Sequence, residues 1–223
     1  MLFRSLTQQQ KKVYDVLARE FKTQIGGKQI TAINAAVAMG KLLQVSGGWV
    51  YTGEGNFGSV ALDAKPRHDM LIDLINESER KVLVFAPFRH CIEGLSPILD
   101  AANIEHCIVH GQTSGRDEIF NLFQNTTKYK VLLAHPQCLA HGLTLTAADT
   151  IIWYMPITSL EIYEQANARI TRVGQKHRQQ VLHLQSTTVE KKIYSMLRGK
   201  QKIQNALLDL LEEATAQKEK TRG

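Results

Sequence analysis

A chain of 223 residues, 43% hydrophobic and 22% charged, can bury one good core, or one core and an appendage, and is too apolar for wholesale disorder. Its formal net charge of +6 suits a polyanionic partner without requiring one. No apolar run has the length of a membrane helix, the first residues lack a secretory core, and Cys91, Cys107 and Cys138 are too scattered for a disulfide framework or a zinc site, so a cytoplasmic chain with reduced thiols is expected.

The chain opens with a helical pattern: Thr7 and Gln10 have capping-box spacing, and Val13, Leu17 and Phe21 follow at helical intervals. A second, alanine-rich helix is expected from Ile30 to Val45. WVYTGEGNFGSVALD is short, glycine-punctuated and β-prone, which predicts a hairpin. From Lys65 the character changes again. Met70 to Glu79 reads as the end of a helix, and KVLVFAPF (81–88) is an apolar strand. HCIVHG, KVLLAH, TIIWYM and QVLHLQ are further apolar runs, and helical segments are expected at 89–102, 113–125, 159–172 and 188–214. Strands apolar throughout that alternate with helices imply an α/β fold, a parallel sheet covered on both faces. Thr158 with Glu161 and Thr187 with Glu190 supply capping boxes for the last two helices. The final one is amphipathic through Val189, Ile193, Met196, Ile203, Leu207 and Leu210.

Several familiar chemistries fail on spacing. Gly53, Gly55 and Gly58 have the GxGxxG pattern, but Pro66 follows too soon for the helix that a dinucleotide fold needs. Gly27-Lys28 and Gly40-Lys41 lack both the upstream glycine and the downstream hydroxyl of a Walker A loop. Asp117-Glu118 lies in a helical segment and is a poor magnesium-holding box. His106 and His110 could share a strand face, but no third ligand accompanies them, so no metal site is expected.

The most informative segment is SLEIYEQANARITRVGQKHR. On a continuous helix Gln165, Arg169 and Arg172 form one stripe, and Ile162, Ala166, Ile170 and Val173 form the apolar stripe beside it. Two guanidinium forks on a rigid helix suit phosphate oxygens. The same spacing also describes an ordinary exposed basic face, and the segment alone leaves both readings open.

Four segments in order, KVLVFAPFRH, VHGQTSGR…F, KVLLAHPQCLAHGLTLTAADTIIWY and YEQANARITRVGQ, resemble the signature blocks of the C-terminal lobe of Swi/Snf-type superfamily-two helicases, nearest to small bacterial and phage-type members. Gln165, Ala166, Arg169, Arg172, Gly174 and Gln175 match the last block, where Ala168 and Thr171 replace the usual Asp and His. Residues 140–149 match the preceding block with one glycine and an asparagine altered. The resemblance spans about 63–200, and LTQQQKKVYDVL resembles the stretch that joins the two lobes.

The resemblance implies a RecA-like sheet sandwiched by helices. It divides the chain into a helical lead-in and hairpin (1–62), the second helicase lobe (63–187) and a C-terminal helix with a frayed tail (188–223). It implies that ATP and Mg2+ are held mainly by a first RecA-like lobe absent from this chain. Arg169 and Arg172 would then act as arginine fingers, with Gln165, Gly142 and Asp149 near the nucleotide. It implies contacts to the backbone of double-stranded DNA through Arg89, His90, Gly111, Gln112, Thr113, His135, Pro136 and Gln137, at the carboxyl ends of strands. Alone, the chain is expected not to hydrolyse ATP. The other reading is a non-catalytic DNA- or protein-binding module built on the same lobe.

Overall fold

The computed structural model describes residues 2–25, 32–52, 58–139, 144–171 and 175–200, with backbone alone for 21–25 and 32–35. Helix α1 (Gln8–Ile25) starts where Thr7 places it: the Gln10 N–H donates to Thr7 Oγ1 at 3.2 Å and the Thr7 N–H to Gln10 Oε1 at 3.1 Å. Helix α2 (Ala32–Gly47) leads through Gly48 into strands β2 (Trp49–Tyr51) and β3 (Ser59–Ala61), an antiparallel pair as expected. Gly48 has φ +94°, and a Cβ there would stand 2.7 Å from that of Ala64, so the corner needs glycine twice over. Residues 53–57 of the hairpin, Gly53 and Gly55 among them, and the Gly27-Lys28 pair lie outside the described residues.

From there the alternation holds: α3 (Lys65–Glu77), β4 (Lys81–Phe85), α4 (Arg89–Ala101), β5 (His106–Val109), α5 (Arg116–Asn125), β6 (Val131–Ala134), β7 (Ala148–Trp153), α6 (Leu160–Asn167), β8 (Gln180–Gln185) and α7 (Thr188–Arg198). A two-residue strand at the start, β1 (Leu2–Phe3), completes a six-stranded parallel sheet in the order β1-β8-β7-β4-β6-β5. This is a RecA-like α/β fold. Every residue of β6 is fully buried, as are Val82 to Phe85 of β4 and Ile151 to Trp153 of β7. Those strands read as uninterrupted apolar runs because helices cover both of their faces.

Four expectations change. Helix α6 ends at Asn167, so Arg169 lies beyond it and no helical stripe joins Gln165 to Arg169. The cap of α6 is Ser159, whose side chain accepts the Ile162 N–H, not Thr158; both residue types can cap, and the start falls one residue later. Helix α5 begins at Arg116 rather than 113, because Gly115 at φ +62° holds the turn before it. Helix α7 ends at Arg198, followed by Lys200 at φ 55°. The 187–190 capping box forms as expected, whereas Ile203, Leu207 and Leu210 lie outside the described residues.

Candidate functional site

Open α/β sheets bind ligands where successive crossovers diverge, at the carboxyl ends of the strands. Here β4 leads toward β5 on one side, while its other neighbour β7 leads to β8 on the opposite side. The crevice between the ends of β4 and β7 is closed by the N-terminal part of the chain. Tyr154 Oη donates to the Gly47 carbonyl at 2.9 Å, and Met155 Sδ sits 2.3 Å from where a Gly47 Cβ would be. Trp49 packs equally tightly on Gly94 of α4. The open carboxyl ends are those of β5 and β6.

These two ends are built alike. After β5, the Gln112 N–H donates to His110 Nδ1 at 3.3 Å and the Thr113 N–H to the His110 carbonyl at 3.0 Å. After β6, the Gln137 N–H donates to His135 Nδ1 at 3.2 Å and the Cys138 N–H to the His135 carbonyl at 2.9 Å. Because each Nδ1 accepts, the proton lies on Nε2, and His135 Nε2 donates to the Pro87 carbonyl at 3.1 Å. Burial pushes both imidazoles below their ordinary pKa, with Glu93 opposing this for His110 and the Pro87 carbonyl opposing it for His135. Both rings are thus neutral at pH 7, and they organise the turns rather than supplying charge.

A cavity of about 360 Å³ opens over these turns, lined by Gly111, Arg116, His135, Gln137 and Cys138. Its cation is Arg116, which the sequence reading did not select. The guanidinium donates to the Gly111 carbonyl at 2.6 Å and the Thr113 carbonyl at 3.0 Å, clasping the turn that carries Gln112. The only earlier sign of it was its place at the end of the VHGQTSGR block. Arg89, at the start of α4, donates from Nε to Glu93 Oε1 at 2.7 Å.

Of the eight residues expected to meet a polyanion here, Gly111, Gln112 and Gln137 are exposed, and Arg89, Thr113 and His135 are partly so. His90 and Pro136 are not available. His90 is 4% exposed, 3.1 Å from the Trp49 carbonyl through Nε2 and with its ring 3.9 Å from that of Tyr51. Pro136 is buried in the 3-10 turn Pro136–Leu139, which packs on α6.

The other expected cluster is partly assembled. The Leu145 N–H donates to the Arg169 carbonyl at 3.1 Å, and Gln175 Nε2 donates to the Ala148 carbonyl at 2.9 Å. The segment before β7 is therefore laced to the segment after α6. Arg169 itself is 4% exposed. Asp149 lies at the amino end of β7, 3.8 Å from Arg80 Nε, while Gln165 donates to Glu161 of its own helix at 3.1 Å. Beside Arg80 is a shallow cleft of about 300 Å³ lined also by Gln124, Thr146, Ala147, Gln175, Lys176 and His177. Gly142 and Arg172 lie outside the described residues. Among the described residues no three His, Cys, Asp or Glu side chains converge as metal ligands, and no described helix is long and apolar enough to cross a membrane.

Comparison with known proteins agrees with this architecture. Residues 66–174 match the helicase conserved C-terminal domain. An uncharacterized ATP-dependent helicase of Mycoplasma pneumoniae is 27% identical over 148 residues, which cover 64% of this chain and 14% of that protein. The C-terminal part of the Fun30 ATPase domain superposes with a TM-score of 0.73 at 16% identity, covering 98% of this chain and 97% of that one. The Sulfolobus solfataricus SWI2/SNF2 ATPase core in complex with dsDNA gives 0.72 at 21% identity, covering 99% of this chain and 48% of that one. The chain spans less than half the length of the curated relatives it matches.

Proposed function

Because residues 66–174 match the helicase conserved C-terminal domain, we propose that the chain is the second motor lobe of a DNA-dependent ATPase, a helicase or translocase of Swi/Snf type. In this reading a first RecA-like lobe, on the same longer chain or a separate subunit, holds ATP and Mg2+. This lobe contributes Arg172 and Arg169, with Gln165, Gly142 and Asp149 nearby, and lays one strand of duplex DNA over the ends of β5 and β6.

The observation that carries the reading is the lacing of Leu145 to Arg169 and Gln175 to Ala148. It makes the segment before β7 and the arginine-bearing segment after α6 into one body, so a change at a nucleotide held by one is felt by the other. Arg172 is the better candidate for direct phosphate contact. Arg169, buried beside this seam, is the better candidate for holding the segment in place. The DNA part is supported by the open cavity, its Arg116 and the amide side chains of Gln112 and Gln137. Backbone N–H groups of Gln112, Thr113, Gln137 and Cys138 are already spent inside the turns, so phosphate would be met mainly by side chains.

The test is reconstitution. The chain alone should bind duplex DNA in a salt-sensitive way and release no phosphate from ATP. With a first lobe supplied, turnover should become DNA-dependent and should be lost in Arg172→Ala. Turnover by the chain alone, or undiminished turnover in that variant, would refute the motor reading. DNA binding with no turnover in any combination would favour the non-catalytic module.

A further inference from the structure

A carboxylate stands beside the first arginine of the edge assigned to phosphate. A single oxygen of Glu93, Oε1, lies 2.7 Å from Arg89 Nε and 3.7 Å from His110 Nε2, joining α4 to the end of β5. The Glu93 side chain is 44% exposed, Arg89 is 32% exposed and His110 is 14% exposed, so the group sits at the rim of the sheet and not in the core.

Helix stability does not explain this arrangement. Arg89 is the first residue of α4, where the helix dipole disfavours a cation, and the first turn carries no acidic residue to offset it. The preceding Phe88 offers no side-chain cap. Arg four residues before Glu is also the less favourable order for such a pair on a helix. Glu93 lies past the first turn, where the attraction of an anion to the helix N-terminus has largely decayed. Arg89 is nevertheless a third exposed at this rim, where an outside anion can meet it. Glu93 occupies part of that cation's donor set.

We propose that Glu93 is an electrostatic brake on DNA binding: its carboxylate neutralises Arg89 and competes with a phosphodiester for it, so the edge holds DNA loosely enough to let it move. This rests on the reading of the β5–β6 edge as a phosphate-binding surface. A surface that grips every phosphate at full strength is a poor track for a motor, and one carboxylate shared with the leading arginine weakens one contact without removing it. The cost to the fold is small, because an exposed pair contributes little to stability.

The experiment is an anisotropy titration of a fluorescent duplex oligonucleotide from 50 to 200 mM salt, with the wild-type chain, Glu93→Gln, Arg89→Ala and the double variant. Glu93→Gln should bind about two- to five-fold more tightly at the lowest salt, the range that an exposed ion pair can withhold. Its log–log salt slope should steepen by about 0.9, one phosphate's worth of released counterions. The gain should vanish when Arg89 is already alanine. Equal or weaker binding by Glu93→Gln overturns the brake, and so does a gain that persists without Arg89, which would be a general charge effect. A wild-type chain that binds no duplex at any salt overturns the phosphate reading of the edge itself, and the brake with it.

Discussion

Arg67 of α3 and Glu190 of α7 form an ion pair at 2.6 Å, with side chains 3% and 0% exposed, in the interior between the third and the last described helix. Arg67 also donates to the carbonyls of Ser46 and Leu184, at 2.7 and 3.0 Å, and lies over the Tyr154 ring. The second oxygen of Glu190 accepts the Ser186 N–H at 2.7 Å and the Thr187 N–H at 3.1 Å. Gln10 of α1 donates to Val45 and Ser46 from the other side. One polar knot thus ties the lead-in, the sheet and the last described helix. Removing one partner strands the other charge, which typically costs about 3–5 kcal/mol. Arg67→Met and Glu190→Leu should each lower the denaturant midpoint severely. The double variant should be more stable than either single one. A double variant as unstable as the sum of the two would show that the pair is not the coupled unit.

A buried imidazole predicts the acid limit of the fold. Burial, with Arg198 acting in the same direction, pushes the pKa of His183 from 6.5 down to about 4, and its Nε2 lies 2.8 Å from Tyr163 Oη. A neutral ring there accepts the tyrosine hydroxyl. Because the folded pKa is depressed, the unfolded chain takes up a proton below pH 6.5 that the native chain refuses until about pH 4. Stability is therefore full above that window and falls as the pH drops through it, by at most about 3 kcal/mol for this group. His68, driven to about 4 chiefly by burial, adds a smaller loss in the same window because it is more exposed. His183→Gln keeps an acceptor and cannot titrate. Its melting temperature should fall less between pH 7.5 and 5 than that of the wild type, and an equally steep fall would exclude His183 as the source.

What was readable in the residues was whatever a local pattern determines. The central strands were legible because burial on both faces leaves apolar runs such as VLVF and VLLA. The Thr7 and Thr187 starts were legible because a capping box is closed within four residues. Leu2–Phe3 is too short for any period, and it is a strand only because β8 offers it an edge. The end of α6 was misplaced because NARITR remains compatible with helix, while the Arg169 carbonyl is claimed by Leu145, 24 positions away in sequence. His90 looked like a surface residue at a strand end until Trp49 and Tyr51, from a distant hairpin, closed over it. Arg116 and Glu93 were missed for the same reason: their roles lie in contacts across elements, and neither stands out by spacing.

Gly94 is an instance that can be tested on its own. It is a glycine in the interior of α4, ordinarily a liability. A Cβ there would come within 2.3 Å of Trp49 Cε2 and 2.6 Å of Cζ2, and the indole is held in place by His90 on the Trp49 carbonyl. Gly94→Ala should therefore destabilise by about 1–3 kcal/mol, despite the better helix former, because overpacking outweighs propensity. Shrinking the neighbour with Trp49→Leu in the same chain should recover part of the loss. Gly94→Ala with unchanged or raised stability in a urea titration would mean that the hairpin is not pressed against α4 as described.

Arg116 separates charge from shape at the β5–β6 edge. Its planar fork spans two carbonyls, Gly111 at 2.6 Å and Thr113 at 3.0 Å, and so holds the turn that presents Gln112. Lysine keeps the charge but offers a point donor that cannot span both. If Arg116 contributes only to the electrostatic attraction of DNA, Arg116→Lys should bind like the wild type at every salt concentration. If it positions the turn, Arg116→Lys should lose about 1.5–3 kcal/mol of DNA affinity, the worth of a lost charge-assisted contact, with an unchanged salt slope. Arg116→Ala should lose more and flatten the slope as well. The clasp on Gly111 and Thr113 favours the second outcome, and indistinguishable titrations for wild type and Arg116→Lys would exclude it.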